Sequence, residues 1–176
     1  MAEPIPHSVL AELDGVVGPA WVLKEPDRLL VYEADALASH PYPPQAVVLP
    51  ASTQEVSQVL AILHRARIPV VPRGAGTGLS GGALAVEGGV VVGTSRLNRV
   101  LEVDPENRRA LVQSGTLNTV LSAAAAPHGL HYAPDPSSQT ACTIGGNVAE
   151  NSGGPHCLKY GVTSRYITGL RVVLPD

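Results

Sequence analysis

Apolar positions along the chain follow two periods. Val56, Val59, Leu60 and Leu63 recur at i, i+3, i+4 and i+7, the spacing of one face of an α-helix. Ser52 and Glu55 precede them as a capping box, so the pattern predicts a helix that ends near Arg67. The short runs Ala46–Leu49 and Ile68–Pro72 flank it and read as strands, giving a β-α-β unit over 46–72. Upstream, Ser8–Val16 reads as a short helix, followed by an extended linker enforced by Pro41, Pro43 and Pro44. Downstream, Gly89–Gly93 reads as a buried strand. Val100–Val103 and Ala110–Gln113 flank Asp104-Pro105-Glu106-Asn107, good turn chemistry for a hairpin. A second helix is expected from about Thr116 to Ala126, with Leu117, Val120, Leu121 and Ala124 on one face and Pro127 and Gly129 stopping it. Thr168–Leu174 reads as a last strand.

Helix–strand alternation followed by a hairpin-rich stretch predicts an α+β protein of two lobes. The expected divisions are a lead-in at 1–45, with its helix and proline-rich linker, a first lobe at 46–94 and a second at 95–176. At 176 residues the chain is long enough to bury most of its apolar surface. Val, Leu and Ala carry the 44% hydrophobic fraction, and there is no Phe and one Trp, so few rings are available to stack on bases. With a formal charge of −3 and scattered basic residues, a nucleic-acid-binding module is disfavoured. No apolar run approaches the roughly 20 residues that span a bilayer, and the start Met1-Ala2-Glu3-Pro4 lacks the basic residues of a signal peptide. Two cysteines, Cys142 and Cys157, make no disulfide framework. The expectation is a soluble, cytoplasmic protein.

Two passages carry chemistry. The first, Arg73-Gly74-Ala75-Gly76-Thr77-Gly78-Leu79-Ser80-Gly81-Gly82, follows the strand that ends at Pro72. A backbone nearly free of side chains approaches a ligand closely and can aim several N–H groups at one anion. Gly76-x-Gly78-x-x-Gly81 fits the dinucleotide fingerprint literally, but that fingerprint opens a helix. Only Ala83–Gly88 separates the glycines from the next strand, too little for a crossover helix. The nucleotide P-loop needs Lys then Ser or Thr after its last glycine, and Gly82-Ala83 stand there instead. What remains is a glycine loop that binds a diphosphate without a helix dipole, or a flexible turn. The second passage, Pro134–Gly154, again joins glycine pairs to short hydroxyl and amide side chains that offer hydrogen bonds without bulk. One ligand lying between two lobes would explain both passages.

Arg73-Gly-Ala-Gly-Thr-Gly-Leu-Ser-Gly-Gly-Ala83 and Ala133-Pro-Asp-Pro-Ser-Ser-Gln-x-Ala-Cys-x-Ile-Gly-Gly-Asn-Val-Ala-Glu-Asn-x-Gly-Gly-x-His-Cys-Leu-Lys-Tyr-Gly161 resemble the FAD-binding domain of FAD-linked oxidases, the vanillyl-alcohol-oxidase/PCMH superfamily. Within it the sequence is most similar to the flavoprotein subunit of glycolate oxidase, beside D-lactate dehydrogenases. The resemblance runs from about Gln45 to the end of the chain. It implies a two-lobed PCMH-type FAD-binding domain, incomplete at its C-terminus, whose complete enzyme oxidises a 2-hydroxy acid by hydride transfer to FAD. It implies that Pro72, Arg73 and the loop through Gly74, Ala75, Gly76, Thr77, Gly78, Leu79, Ser80 and Gly81 wrap the FAD pyrophosphate, chiefly through the N–H groups of 74–78. Pro134, Asp135 and Ser138 would lie along the ribityl or pyrophosphate side. Gly145, Gly146 and Asn147, with Asn151 and Gly154, would let the second lobe approach the cofactor. Some relatives bond the flavin covalently through a histidine in the first loop; Thr77 holds that position here, so FAD is expected to be non-covalent.

Relatives continue beyond this point into a substrate-binding domain, so the chain reads as a truncated member. The alternatives are a remnant that folds and oligomerises without FAD, and a module for other diphosphates. An unfinished sheet leaves an open edge, which another glycolate oxidase subunit or a second copy of the chain is expected to cover. No residue is assigned to acid–base catalysis and none to a metal: His156-Cys157 has no further ligand at suitable spacing. Cys142 reads as a small buried residue, Arg108-Arg109 as a surface pair, and His64 and Arg65 as favourable charges at a helix end.

Overall fold

The computed structural model describes residues 3–37 and 40–175. It forms two compact units, one built from the chain up to Arg96 together with the residues from Val172 on, the other from Leu97–Arg171.

In the first unit, helix α1 (His7–Val17) and helix α3 (Thr53–Arg65) lie over a four-stranded sheet; a single turn, α2 (Pro26–Leu29), stands between them in the chain. The strands are β1 (Val22–Leu23), β2 (Ala46–Val48), β3 (Val70–Arg73) and β4 (Val90–Gly93), in the order β1-β2-β4-β3. β1 is antiparallel to β2, whereas β2, β4 and β3 run parallel, with Val47 opposite Val91 and Arg73 opposite Gly93. The β-α-β unit therefore forms with β4 inserted between its two strands. Alternation splits the strand residues between two buried faces. Ala46, Val48, Val90 and Val92 pack with Val9, Leu13, Val17, Val59, Ile62 and Leu63 of the helices. Val47 and Val91 pack on the other face with Leu23, Leu29, Leu49 and Ala85. The segment read as a lead-in thus supplies a helix and a strand to this core, and Leu13 of α1 is fully buried.

Helix α3 starts where its capping residues place it. Ser52 Oγ accepts from the Glu55 N–H at 3.1 Å. The Glu55 carboxylate reaches back one residue further than in the usual capping box, accepting from the Ala51 N–H at 2.8 Å. His64 and Arg65 fall in its last turn.

In the second unit, β5 (Val100–Asp104) and β6 (Arg109–Val112) form the expected antiparallel hairpin. Asp104 holds the turn by accepting from the Asn107 backbone N–H and side-chain amide at 3.0 and 2.7 Å. Helix α4 (Asn118–Ala125) follows, but its buried face is not the expected one. Leu117 is the N-cap, outside the helix, and Val120 is 43% exposed. Asn118, Leu121 and Ala125 face inward. The polar Asn118 fits there because its Nδ2 donates to the buried Pro134 carbonyl at 2.9 Å.

Two more helices, α5 (Ile144–Glu150) and α6 (Cys157–Tyr160), lie within and just after the second small-residue passage. The sequence reading did not expect a helix at 144–150, where Gly145 and Gly146 weaken local propensity. Tertiary bonds supply the start: Ile144 N–H donates to Thr116 O at 2.8 Å, Gly145 N–H to Ser114 O at 2.7 Å, and Thr143 Oγ1 accepts from the Gly146 N–H at 3.1 Å. The strand expected at Thr168–Leu174 does not form; among the described residues it has no ladder partner. Its alternating Leu170, Val172 and Leu174 remain more than 60% exposed.

Candidate functional site

The glycine passage leaves the sheet at the carboxyl end of β3, the end at which open parallel sheets bind ligands. Residues 74–89 then run to β4 without helix or strand, and a structureless connection of that length is commonly functional. Its far half is anchored: Leu84 and Ala85 are buried, and turn bonds join Leu84 N–H to Gly81 O, Val86 N–H to Leu84 O and Gly88 N–H to Ala85 O. The near half is different. Among the described residues, no loop or turn bond between backbone groups uses the N–H of Gly74, Ala75, Gly76, Thr77 or Gly78. Successive uncommitted N–H groups beside glycines are the donor set that an anionic diphosphate needs.

Arg73 is placed otherwise than its position at the head of the loop suggests. Its side chain is buried, and its terminal nitrogens donate to main-chain carbonyls: Nη2 to Ala34 O at 2.7 Å and Val31 O at 3.2 Å, Nη1 to Ala83 O at 3.5 Å. The guanidinium stands 5.6 Å from the centre of the Tyr32 ring. Burial pushes its pKa down, opposed by the charges of Asp35 and then Tyr32. The Arg73 carbonyl is fixed as well, accepting from Thr94 N–H at 3.0 Å and Thr94 Oγ1 at 3.4 Å. Gly76 has φ +71°, and a Cβ there would collide with the Arg73 guanidinium.

Pro72, Leu79 and Ser80 are exposed beside the loop, and Thr77, Gly78 and Gly81 are partly exposed. No sequence signal pointed to Val31–Leu37, whose hydrogen bonds to Arg73 and the loop use main-chain carbonyls and an N–H.

Residues of the second passage lie together in the second unit. Pro134 is buried against Asn118. Asp135 Oδ2 pairs with His156 Nδ1 at 2.5 Å, and that hydrogen bond, the largest influence, holds the Asp135 carboxyl below the usual carboxylate range. A Cβ on Gly154 would collide with Asp135 side chain and backbone together, so the glycine makes this approach possible. The Ser138 carbonyl accepts from the Ala141 and Cys142 N–H groups, both at 2.8 Å. Gly145 and Gly146 lie in the first turn of α5. Asn151 is its left-handed C-cap, and its Oδ1 accepts from Ser164 N–H at 3.0 Å. Asn147 points into the unit's interior, 1% exposed.

The interior beside Asn147 is polar. Asn147 Nδ2 and the Tyr132 hydroxyl are buried without a well-formed hydrogen bond among the described residues. Burial pushes the Tyr132 phenol up, and the nearby Thr163 and Asn147 side chains offset part of that. Burial also pushes the Cys142 thiol up, which keeps it protonated and inert. Among the described residues, no cluster of three or more His, Cys, Asp or Glu could hold a metal ion. No helix of the described residues is long and apolar enough to cross a membrane.

A loop of uncommitted N–H donors at the end of a parallel sheet is the donor set of an anion-binding loop, and the second unit carries a small-residue passage of its own. Residues 44–176 match the family model described as FAD binding domain, and the chain belongs to that family. FAD is its cofactor. The glycolate oxidase subunit GlcD of Escherichia coli (strain K12) is 50% identical over 169 residues, covering 96% of this chain and 34% of that protein. The D-lactate dehydrogenase of Anaerostipes hadrus is 44% identical over 132 residues, 75% of this chain and 28% of that one. A solved alkyldihydroxyacetonephosphate synthase shares the fold at a TM-score of 0.88 and 24% identity, over 99% of this chain and 38% of its own. The α+β, PCMH-type FAD-binding fold expected from the sequence is the fold observed. The chain spans about a third of the length of these relatives.

Proposed function

We propose that the chain binds FAD non-covalently through the N–H groups of 74–78, as the cofactor-binding portion of a flavoprotein that oxidises a 2-hydroxy acid. The observation that carries this is the run of uncommitted amides from Gly74 to Gly78 at the end of β3. They present positive partial charge to a pyrophosphate without needing a cationic side chain. Pro72, Leu79, Ser80 and Gly81 would border the diphosphate. Pro134, Asp135 and Ser138 would meet the ribityl or pyrophosphate side. Gly145, Gly146, Asn147, Asn151 and Gly154 shape the second passage by the bonds and close approaches described above, and Arg73 shapes the first. Thr77 lacks the imidazole that would form a histidyl flavin bond at this position. When bound, FAD supplies a two-electron acceptor for the substrate carbon, and the protein supplies binding and orientation.

The relatives' names as a glycolate oxidase subunit and a D-lactate dehydrogenase support the 2-hydroxy-acid reading. A cytoplasmic setting is proposed beside it; among the described residues no helix is long and apolar enough to cross a membrane. The word subunit in the first name supports another oxidase subunit as partner; the edge strand β3 offers a second copy of the chain a place to pair. We divide the chain into a lead-in at 1–45, whose helix and strand pack into the first unit's core, and FAD-binding lobes at 46–94 and 95–176.

Competition tests the cradle. ADP, which carries the diphosphate, is expected to displace FAD, whereas riboflavin, which carries none, is not. Displacement by riboflavin with no effect of ADP would place the affinity on the isoalloxazine and overturn the assignment of 74–78.

A further inference from the structure

We infer that Arg73 is a positioning residue that latches the segment Val31–Leu37 against the glycine loop, and that this strap sets how well the loop holds a pyrophosphate. The inference rests on the FAD reading of the loop. Three observations meet here. The terminal nitrogens of Arg73 bond Ala34 O, Val31 O and Ala83 O, so one guanidinium ties the strap to residues at both ends of the loop. The Ala36 N–H donates to Gly78 O at 3.1 Å, a second tie at the loop's middle. Asp35, 8% exposed, accepts from its own strap at Leu37 N–H at 2.8 Å and turns a buried, unpartnered Oδ2 away from solvent, where its charge acts on Arg73.

A guanidinium spent on three carbonyls is not a phosphate donor. Its effect on an anion comes through the loop: glycines lose more conformational freedom than other residues on ordering, and a strap that orders them beforehand removes that cost from binding. The strap lies upstream of residue 44, where the family match begins, whereas Arg73, Gly78 and Ala83, which it meets, lie within the match.

The test compares the wild-type chain with Arg73→Met, Arg73→Lys, Ala36→Pro and the Met/Pro double variant. Two quantities are read: FAD affinity by flavin fluorescence, and hydrogen exchange without FAD at the bonded amides of Leu37 in the strap and Leu84 in the loop, with α3 amides as the control for global unfolding. Arg73→Met and Ala36→Pro are each expected to weaken FAD binding at least tenfold and to speed exchange at Leu37 and Leu84 while α3 stays protected. The double variant should be little worse than either single one, since both release the same strap, and Arg73→Lys should recover part of the loss. Loss of FAD affinity in Arg73→Met with unchanged exchange, and no effect of Ala36→Pro, would make Arg73 a phosphate ligand and overturn the strap. Should Arg73→Met not fold, Ala36→Pro decides by the same two readings. A wild-type chain that takes up no FAD overturns the FAD reading; exchange at Leu37 and Leu84 then still decides the latch, faster in Arg73→Met if it exists and unchanged if it does not.

Discussion

Gly76 combines a φ of +71° with a Cα that faces the Arg73 guanidinium. A left-handed backbone costs a non-glycine residue about 1–2 kcal/mol, and a methyl group would also push the guanidinium off its carbonyls. Gly76→Ala is therefore expected to lower stability by about 2 kcal/mol or more in denaturant unfolding, and to weaken FAD binding in the same protein. At Asp135, the hydrogen bond from His156 depresses the carboxyl pKa. A depressed carboxylate stabilises the fold above its unfolded pKa of about 3.9, and that contribution is lost as pH falls through the folded value. An NMR titration should show Asp135 below the ordinary aspartate range in the wild type and moving up toward it in His156→Asn; an unchanged value in the variant would assign the depression to the backbone instead. The sequence made Arg73 and the glycines visible as a loop that could bind an anion. It could not show what the Arg73 side chain does, because its hydrogen-bond partners are backbone carbonyls, two of them some forty residues upstream, and carry no side-chain signature.

The contrast between α3 and α5 shows which elements a sequence declares. In α3 every level agrees: capping residues, a strong apolar stripe and basic residues in the last turn. Ser52→Ala should cost about 1 kcal/mol through loss of the bond to Glu55 N–H, and Leu63→Ala, fully buried in the core, about 2–5 kcal/mol; urea unfolding measures both. Helix α5 has two glycines in its first turn and takes its start from bonds to Ser114 and Thr116, residues that lie some thirty positions earlier. Local propensity is silent there because tertiary contacts do the ordering. The face of α4 was misjudged for a related reason: an asparagine fills an apolar slot once a buried carbonyl accepts from it.

At the scale of the molecule, the alternation of strands and helices made the α+β class legible, and two glycine-rich passages made the cofactor class legible. The strand order was not, since nothing in the spacing of β2, α3 and β3 says that β4 will enter between them. Nor was the N-terminal segment's part in the first unit, because its helix is short and its strand has two residues. The alternating run at 168–174 shows the converse: a strand pattern with no ladder partner among the described residues leaves its apolar side chains exposed. The central claim is that this chain holds FAD at the amides of 74–78. Calorimetric titration of the purified chain with FAD tests it most directly. The account predicts saturable binding of one FAD per chain that is lost in Gly76→Ala; no binding, or binding unchanged by that substitution, would contradict it.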